Sequence, residues 1–196
     1  NDENIIILED ECKKEIQKKK IGLINEVIEP RGMYGIYYDK FIHNNIFRNQ
    51  KVVELVNNNK NKKILILTKL IEHGQQLNTL ISGSVHLYGE TNKTERKEMF
   101  ENFIEGEGKV LISTISIFSE GIDIKELGVI INVCANTSDI KTIQMLGRIL
   151  RTCGDKTAEY YDFIDECKFF KGASYKRKKV LQKEGHGIEI VSSQSI

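Results

Sequence analysis

The chain has 196 residues, 40% of them hydrophobic and 29% charged, the balance of a soluble globular protein with enough length for one sizeable core. Its formal net charge of +1 excludes a bulk field that would attract nucleic acid or a membrane, so any contact with a polyanion must come from local groups. No apolar run approaches the ~18 residues that span a bilayer, no signal-peptide pattern opens the chain, and Cys12, Cys134, Cys153 and Cys167 are too scattered for a metal site. The cysteines read as reduced thiols of a cytosolic or nuclear protein, and the expectation is no membrane contact. The chain starts at Asn1 and reads as a fragment of a longer protein. A single proline with abundant Ile, Asn and Lys suits an AT-rich genome, such as that of a virus or phage acting in a host cytoplasm.

In chain order, residues 1–33 hold an apolar run from Ile5 to Leu8, a lysine-rich stretch and Pro30, and read as a linker or the edge of a preceding domain. Apolar residues from Phe41 to Val56 predict a helix over about 39–58, ended by the asparagine-rich stretch 57–61. A regular alternation follows: a strand at 64–67, a helix at 71–81, a strand at 85–87, a helix at 93–104, then strands at 110–112 and 129–133, a helix at 139–150 and a strand at 159–163. Short apolar strands between amphipathic helices predict an α/β fold, a parallel sheet flanked by helices, over residues 34–168. Asn92 followed by Glu95 resembles a capping box at the start of the helix at 93. Residues 169–196 read as a basic helix with Lys171, Lys176, Arg177, Lys178 and Lys179, then a possible strand at 188–191. That helix either touches a phosphate backbone or presents a solvated face.

The segment that carries most chemistry is Gln144-Met145-Leu146-Gly147-Arg148-Ile149-Leu150-Arg151. At about 100° per residue Gln144, Arg148 and Arg151 share one helix face and the apolar residues occupy the opposite arc. Two arginines three residues apart repel weakly, and Gly147 costs roughly 1 kcal/mol of helix stability relative to alanine. An anion such as a triphosphate would convert that repulsion into planar, charge-assisted hydrogen bonds, with Gly147 allowing close approach. The bland alternative is an amphipathic helix with surface arginines.

QMLGRILR at 144–151 resembles motif VI of the superfamily 2 helicases, Gln-x-x-Gly-Arg-x-x-Arg. The resemblance implies a RecA-like helicase C-terminal domain in which Arg148 and Arg151 are arginine fingers reaching ATP, with Gln144 a nearby polar contact. VLISTISIFSEGIDI at 110–124 is similar to motif V, which implies that Thr114 contacts a nucleic-acid phosphate while Gly121 and Asp123 connect to the nucleotide cleft. ILILTKLIEHG at 64–74 looks like motif IV, with Thr68, Lys69 and His73 as its polar candidates for nucleic-acid binding. VHLYGET at 85–91 fits the family's next strand, YYDKFIHNNIFRNQ at 37–50 is similar to the entry into the second domain, and YYDFIDE at 160–166 to the end of the core.

No Gly-x-x-x-x-Gly-Lys-Ser/Thr phosphate loop is present, so the resemblance implies that ATP and Mg2+ are bound mainly by a first RecA-like domain of the same parent chain, and that this chain alone does not hydrolyse ATP. Ile143-Gln144 stands before the Gly-Arg pair, where the DEAD-box RNA helicases usually show His-Arg. That tilts the expected track toward single-stranded or forked DNA and toward the repair, replication-fork and branch-migration helicases, with RNA as the alternative. Two rivals of another class are a non-catalytic RecA-like docking module and a small-molecule enzyme of the dinucleotide-binding type, for which no Gly-x-Gly-x-x-Gly follows any predicted strand.

Overall fold

Runs such as KILILT at Lys63–Thr68 are apolar at nearly every position, so a strand built from them must be covered on both faces. The computed structural model describes residues 4–9, 30–106, 110–118, 127–135, 158–183 and 187–192. Within it the strands are β1 (Asn4–Glu9), β2 (Lys63–Thr68), β3 (Val85–Leu87), β4 (Val110–Thr114), β5 (Leu127–Asn132), β6 (Glu159–Ile164) and β7 (Gly187–Ser192). They form one sheet in the order β3-β4-β2-β5-β6-β1-β7, with every neighbouring pair parallel. The helices are α1 (Pro30–Tyr38), α2 (Ile46–Asn58), α3 (Ile71–Leu80), α4 (Lys93–Glu105), the short α5 (Ile115–Phe118) and α6 (Lys171–Lys183).

Alternate residues of the central strands point to opposite faces. Ile64 and Ile66 pack with Val52, Leu55 and Val56 of α2 and Leu77 of α3. Leu65 and Leu67 pack with Phe103 of α4 and Leu181 of α6. Leu65 and Ile66 are fully buried, each contributing roughly 1.5–3 kcal/mol relative to exposure. The α/β reading is therefore correct: helices cover both faces of a parallel sheet.

Local signals explain the helix boundaries. Asn92 caps α4 by accepting from the backbone N–H of Thr94 at 2.8 Å and of Glu95 at 3.5 Å. The helix expected over 39–58 is broken. α1 runs into a single π-helical turn at Asp39–His43, and α2 restarts after Asn45, whose extended backbone and side chain cap Arg48 N at 3.1 Å. Gly83 turns the chain from α3 to β3 with φ of 77°, a conformation that favours glycine.

Two differences from the sequence expectation concern the ends. Part of the segment read as a linker or domain edge, Asn4–Glu9, lies inside this sheet, paired along its length with β6 on one side and β7 on the other. The basic segment after 169 does form a helix, α6, but not all its charge faces out. Arg177 is 3% exposed and shares the inward face with Ala173, Ser174 and Leu181. The helix expected at 139–150 lies outside the described residues, as do Gly121, Asp123, Gln144, Arg148 and Arg151.

Candidate functional site

In an all-parallel sheet every strand ends at the same edge, and open α/β sheets bind ligands there. β2 ends on Thr68 and β4 on Thr114, and the two are register partners, so the candidate hydroxyls stand side by side on adjacent strands. Thr114 is the last residue of β4, which runs two residues past the end at 112 expected from sequence. Its Oγ1 accepts from Ser116 Oγ at 3.3 Å. Thr68 Oγ1 has no hydrogen-bond partner among the described residues, an uncommon state for a buried hydroxyl. Thr68 and Thr114 are 0% and 4% exposed, so both hydroxyls are covered in this conformation.

Lys69 and His73, the other motif IV candidates, diverge. Lys69 is exposed at the end of β2. Its Nζ donates to Tyr34 Oη at 3.2 Å and lies 4.7 Å from the Tyr34 ring centroid and 4.9 Å from that of Tyr38. His73 is fully buried in α3, with Nε2 2.9 Å from Asn49 Oδ1. Burial first, then the nearby Arg48 charge and His43, push its pKa down to about 3, so the ring is neutral near pH 7. Asn49 also donates to His43 O at 3.0 Å and to Gln76 Oε1 at 3.1 Å. His73, a motif IV candidate for nucleic-acid binding, thus ties α3 to α2, and its neutral, enclosed imidazole offers no cation to a strand in this conformation.

The same edge holds a buried charge network that sequence reasoning missed. Arg177 Nε donates to Asp162 Oδ2 at 2.7 Å and its Nη2 to Asp162 Oδ1 at 3.1 Å, a bidentate pair whose side chains are 3% and 4% exposed. Arg177 Nη2 also donates to Phe163 O at 3.1 Å. Asn132 Nδ2 reaches Tyr160 Oη at 3.0 Å and Asp162 Oδ1 at 3.3 Å. One turn away, Arg48 forms a buried ion pair with Asp165 and sits 4.3 Å over the Phe163 ring. Ser174 Oγ links the two pairs, donating to Asp165 Oδ2 at 3.3 Å and lying 3.4 Å from Arg177 Nη2. The signal was an acid inside a buried strand: Asp162 interrupts an otherwise apolar run, and a buried carboxylate demands a partner. Because both aspartates are matched to arginines, neither is available to hold a magnesium ion.

A cluster of aromatic rings closes this end. Tyr38, Phe41 and Ile42 pack on Ala135, Cys167 and Phe170, with Tyr34, Tyr37 and Phe169 half-buried on their outer side. Burial raises the Tyr38 hydroxyl well above its usual pKa, so it stays protonated, and its Oη has no partner among the described residues. Cys134 is enclosed nearby, its thiol pushed up to about 12 by burial. Among the described residues no group of three or more His, Cys, Asp or Glu is placed to hold a metal ion, and no helix is long and apolar enough to cross a membrane.

Comparison with known proteins places this chain in a family. Residues 48–153, more than half of the chain, match the family described as helicase conserved C-terminal domain. The transcript termination protein of fowlpox virus is 28% identical over 141 residues, covering 67% of this chain and 30% of its own length. The ATP-dependent DNA helicase uvsW of enterobacteria phage T4 is 30% identical over 128 residues, covering 62% of this chain and 25% of its own. The chain thus spans less than a third of either relative. The crystal structure of T4 UvsW superposes with a TM-score of 0.67 over 97% of this chain and 41% of that one, at 18% identity. Relatives named as RNA helicases occur beside those named as DNA helicases.

Proposed function

The chain belongs to the helicases as a conserved C-terminal domain, and on that footing we propose that it is the second RecA-like half of an ATP-dependent nucleic-acid translocase. In this reading Arg148 and Arg151 reach across a cleft to ATP and Mg2+ held by a first RecA-like domain of the same parent, with Gln144, Gly121 and Asp123 lining this side. Such fingers stabilise charge that spreads over the transferring phosphoryl group. The chain alone does not hydrolyse ATP, since its 196 residues contain no phosphate loop. The track is single-stranded or forked DNA, the preference suggested by Gln144 in the motif.

The observation that carries the reading is the family match over 48–153, which contains all three motif segments in order. The register pairing of Thr68 with Thr114 supports it, because it sets two hydroxyls together at the edge where such sheets bind ligands. Both are covered as described, so phosphate contact requires the carboxyl edge to open when the two domains close on a strand. Contacts of this kind grip the backbone without reading bases, which suits a domain with a net charge of only +1.

The test is oligonucleotide binding by the full-length parent with a non-hydrolysable ATP analogue, comparing wild type with Thr114→Val. Loss of one backbone hydrogen bond should weaken single-stranded DNA binding about 3- to 10-fold, at the ~1 kcal/mol scale of such a contact. Unchanged affinity would remove Thr114 from the track, and tighter binding to RNA than to DNA would replace the DNA assignment.

A further inference from the structure

We propose that the half-buried rings of Tyr34, Tyr37 and Phe169 form a platform on which unpaired nucleobases stack, beside the backbone track at the end of β2. This rests on the nucleic-acid reading above and adds to it a base-contacting surface built from α1 and the turn before α6.

Three observations carry it. The rings are half-buried, so each keeps part of its surface exposed, while their inner side is anchored: Tyr37 meets Phe169 edge-on at 4.8 Å, Tyr34 meets Phe170 at 5.3 Å, and Ile42 and Phe170 of the same cluster are fully buried. An edge-to-face pair occupies only part of each ring's surface, and a shelf already held by the core loses little freedom when a base lands on it. Second, the rim is cationic. Lys40, Lys69 and Lys168 are exposed: the Lys69 ammonium stands over Tyr34 and Tyr38, the Lys40 ammonium lies 5.4 Å from the Phe41 ring centroid, and Lys168 directly precedes Phe169. The acids nearby are engaged: Asp39 with His43 at 3.0 Å and Asn44 at 2.9 Å, Glu166 with Lys171 at 2.7 Å and Tyr175 at 3.0 Å. Third, Lys69 directly follows Thr68, so phosphates held at the carboxyl edge bring their bases within reach of the shelf. Aromatic faces with flanking ammonium groups are the chemistry of sequence-tolerant single-strand binding, because every base has a π-face and every nucleotide a phosphate. A cluster serving only to fasten α1 has no need of a cationic rim.

The test uses the full-length protein with a fluorescein-labelled oligothymidylate and an abasic oligomer of equal length, comparing wild type with Tyr37→Leu and Phe169→Leu. Each variant should lose about 10-fold in affinity for oligothymidylate, the scale of one stacked base, and less than about twofold for the abasic strand. Equal losses on both oligomers, or none, overturn the platform. Wild type binding both oligomers equally overturns the platform and leaves the backbone track, whereas wild type binding neither overturns the nucleic-acid reading itself. Photocrosslinking of the wild type to 5-iodouracil-substituted strands gives a readout that no variant's folding can disturb. Adducts on Tyr34, Tyr37 or Phe169 are expected, and adducts confined to other residues refute the proposal.

Discussion

Replacing Arg177 by leucine tests whether α6 is a solvated basic tail or part of the core. The variant keeps most of the apolar volume but leaves Asp162, with a side chain only 4% exposed, without its bidentate partner. Breaking a buried pair from one side costs about 3–5 kcal/mol, because an uncompensated charge stays enclosed. For a chain of this size each kcal/mol shifts Tm by about 2–4 °C, so a fall of roughly 6–20 °C is expected. Lys176→Leu and Lys179→Leu, exposed neighbours on the same helix, should stay within about 0.5 kcal/mol of wild type. Adding Asp162→Asn to Arg177→Leu removes the stranded charge while keeping an acceptor for Asn132 Nδ2, now 3.3 Å away. The double variant should therefore recover about 1–3 kcal/mol relative to the sum of the singles. Urea denaturation of the five variants, Asp162→Asn alone among them, decides it. Arg177→Leu behaving like Lys176→Leu would refute the buried network and return α6 to the solvated reading.

Gly74→Ala should destabilise by about 1–3 kcal/mol in the same assay, because its Cβ would stand 2.1 Å from His86 Nε2. If that clash is the cause, the penalty shrinks in a His86→Ala background, and an unchanged penalty would contradict it. His73 gives a pH signature. Its pKa is about 3 folded and ~6.5 unfolded, so the unfolded state binds the extra proton between these values and stability falls as pH falls through that window. The loss from His73 alone is about 2 kcal/mol between pH 6.5 and 5, at ~1.36 kcal/mol per unit. His73→Gln should flatten the pH dependence by that amount, measured by urea titration at each pH, and an unchanged slope would show that His73 is not enclosed as described. His86, also lowered by burial, contributes in the same direction and is common to both proteins in this comparison.

The parts of the fold legible in sequence are those with local causes. Ile64 to Leu67 announce a two-faced buried strand by composition, and Asn92 announces a helix start by its capping chemistry. The place of β1 was not legible, since its partners lie far along the chain: Ile5 pairs with Tyr160 and with Ile188. Nothing local distinguishes such a strand from a linker. The break at Asn44 and Asn45 was missed because the apolar period continues across it, and only the cap at Asn45 reveals the restart. Arg177 was misjudged among lysines although its spacing from Ala173 and Leu181, four residues each way, places it on the buried face. In the candidate site, motif order located the carboxyl edge, and Thr68 and Thr114 fell there together. Charge and burial are tertiary properties, so the neutral, enclosed state of His73 and the pairing of Arg48 with Asp165, 117 residues apart, could not be read from the motif.

The central claim, that this domain completes an ATP-driven motor, is tested most directly by nucleic-acid-stimulated ATP hydrolysis in the full-length parent. Wild type is compared with Arg148→Ala and Arg151→Ala, using single-stranded DNA, forked DNA and RNA as stimulants. Turnover stimulated by DNA that falls about 10³-fold or more in both variants, with ATP binding retained, is the expected result. Turnover unchanged by the substitutions, or absent from the wild type, would contradict the motor reading and leave a RecA-like docking module.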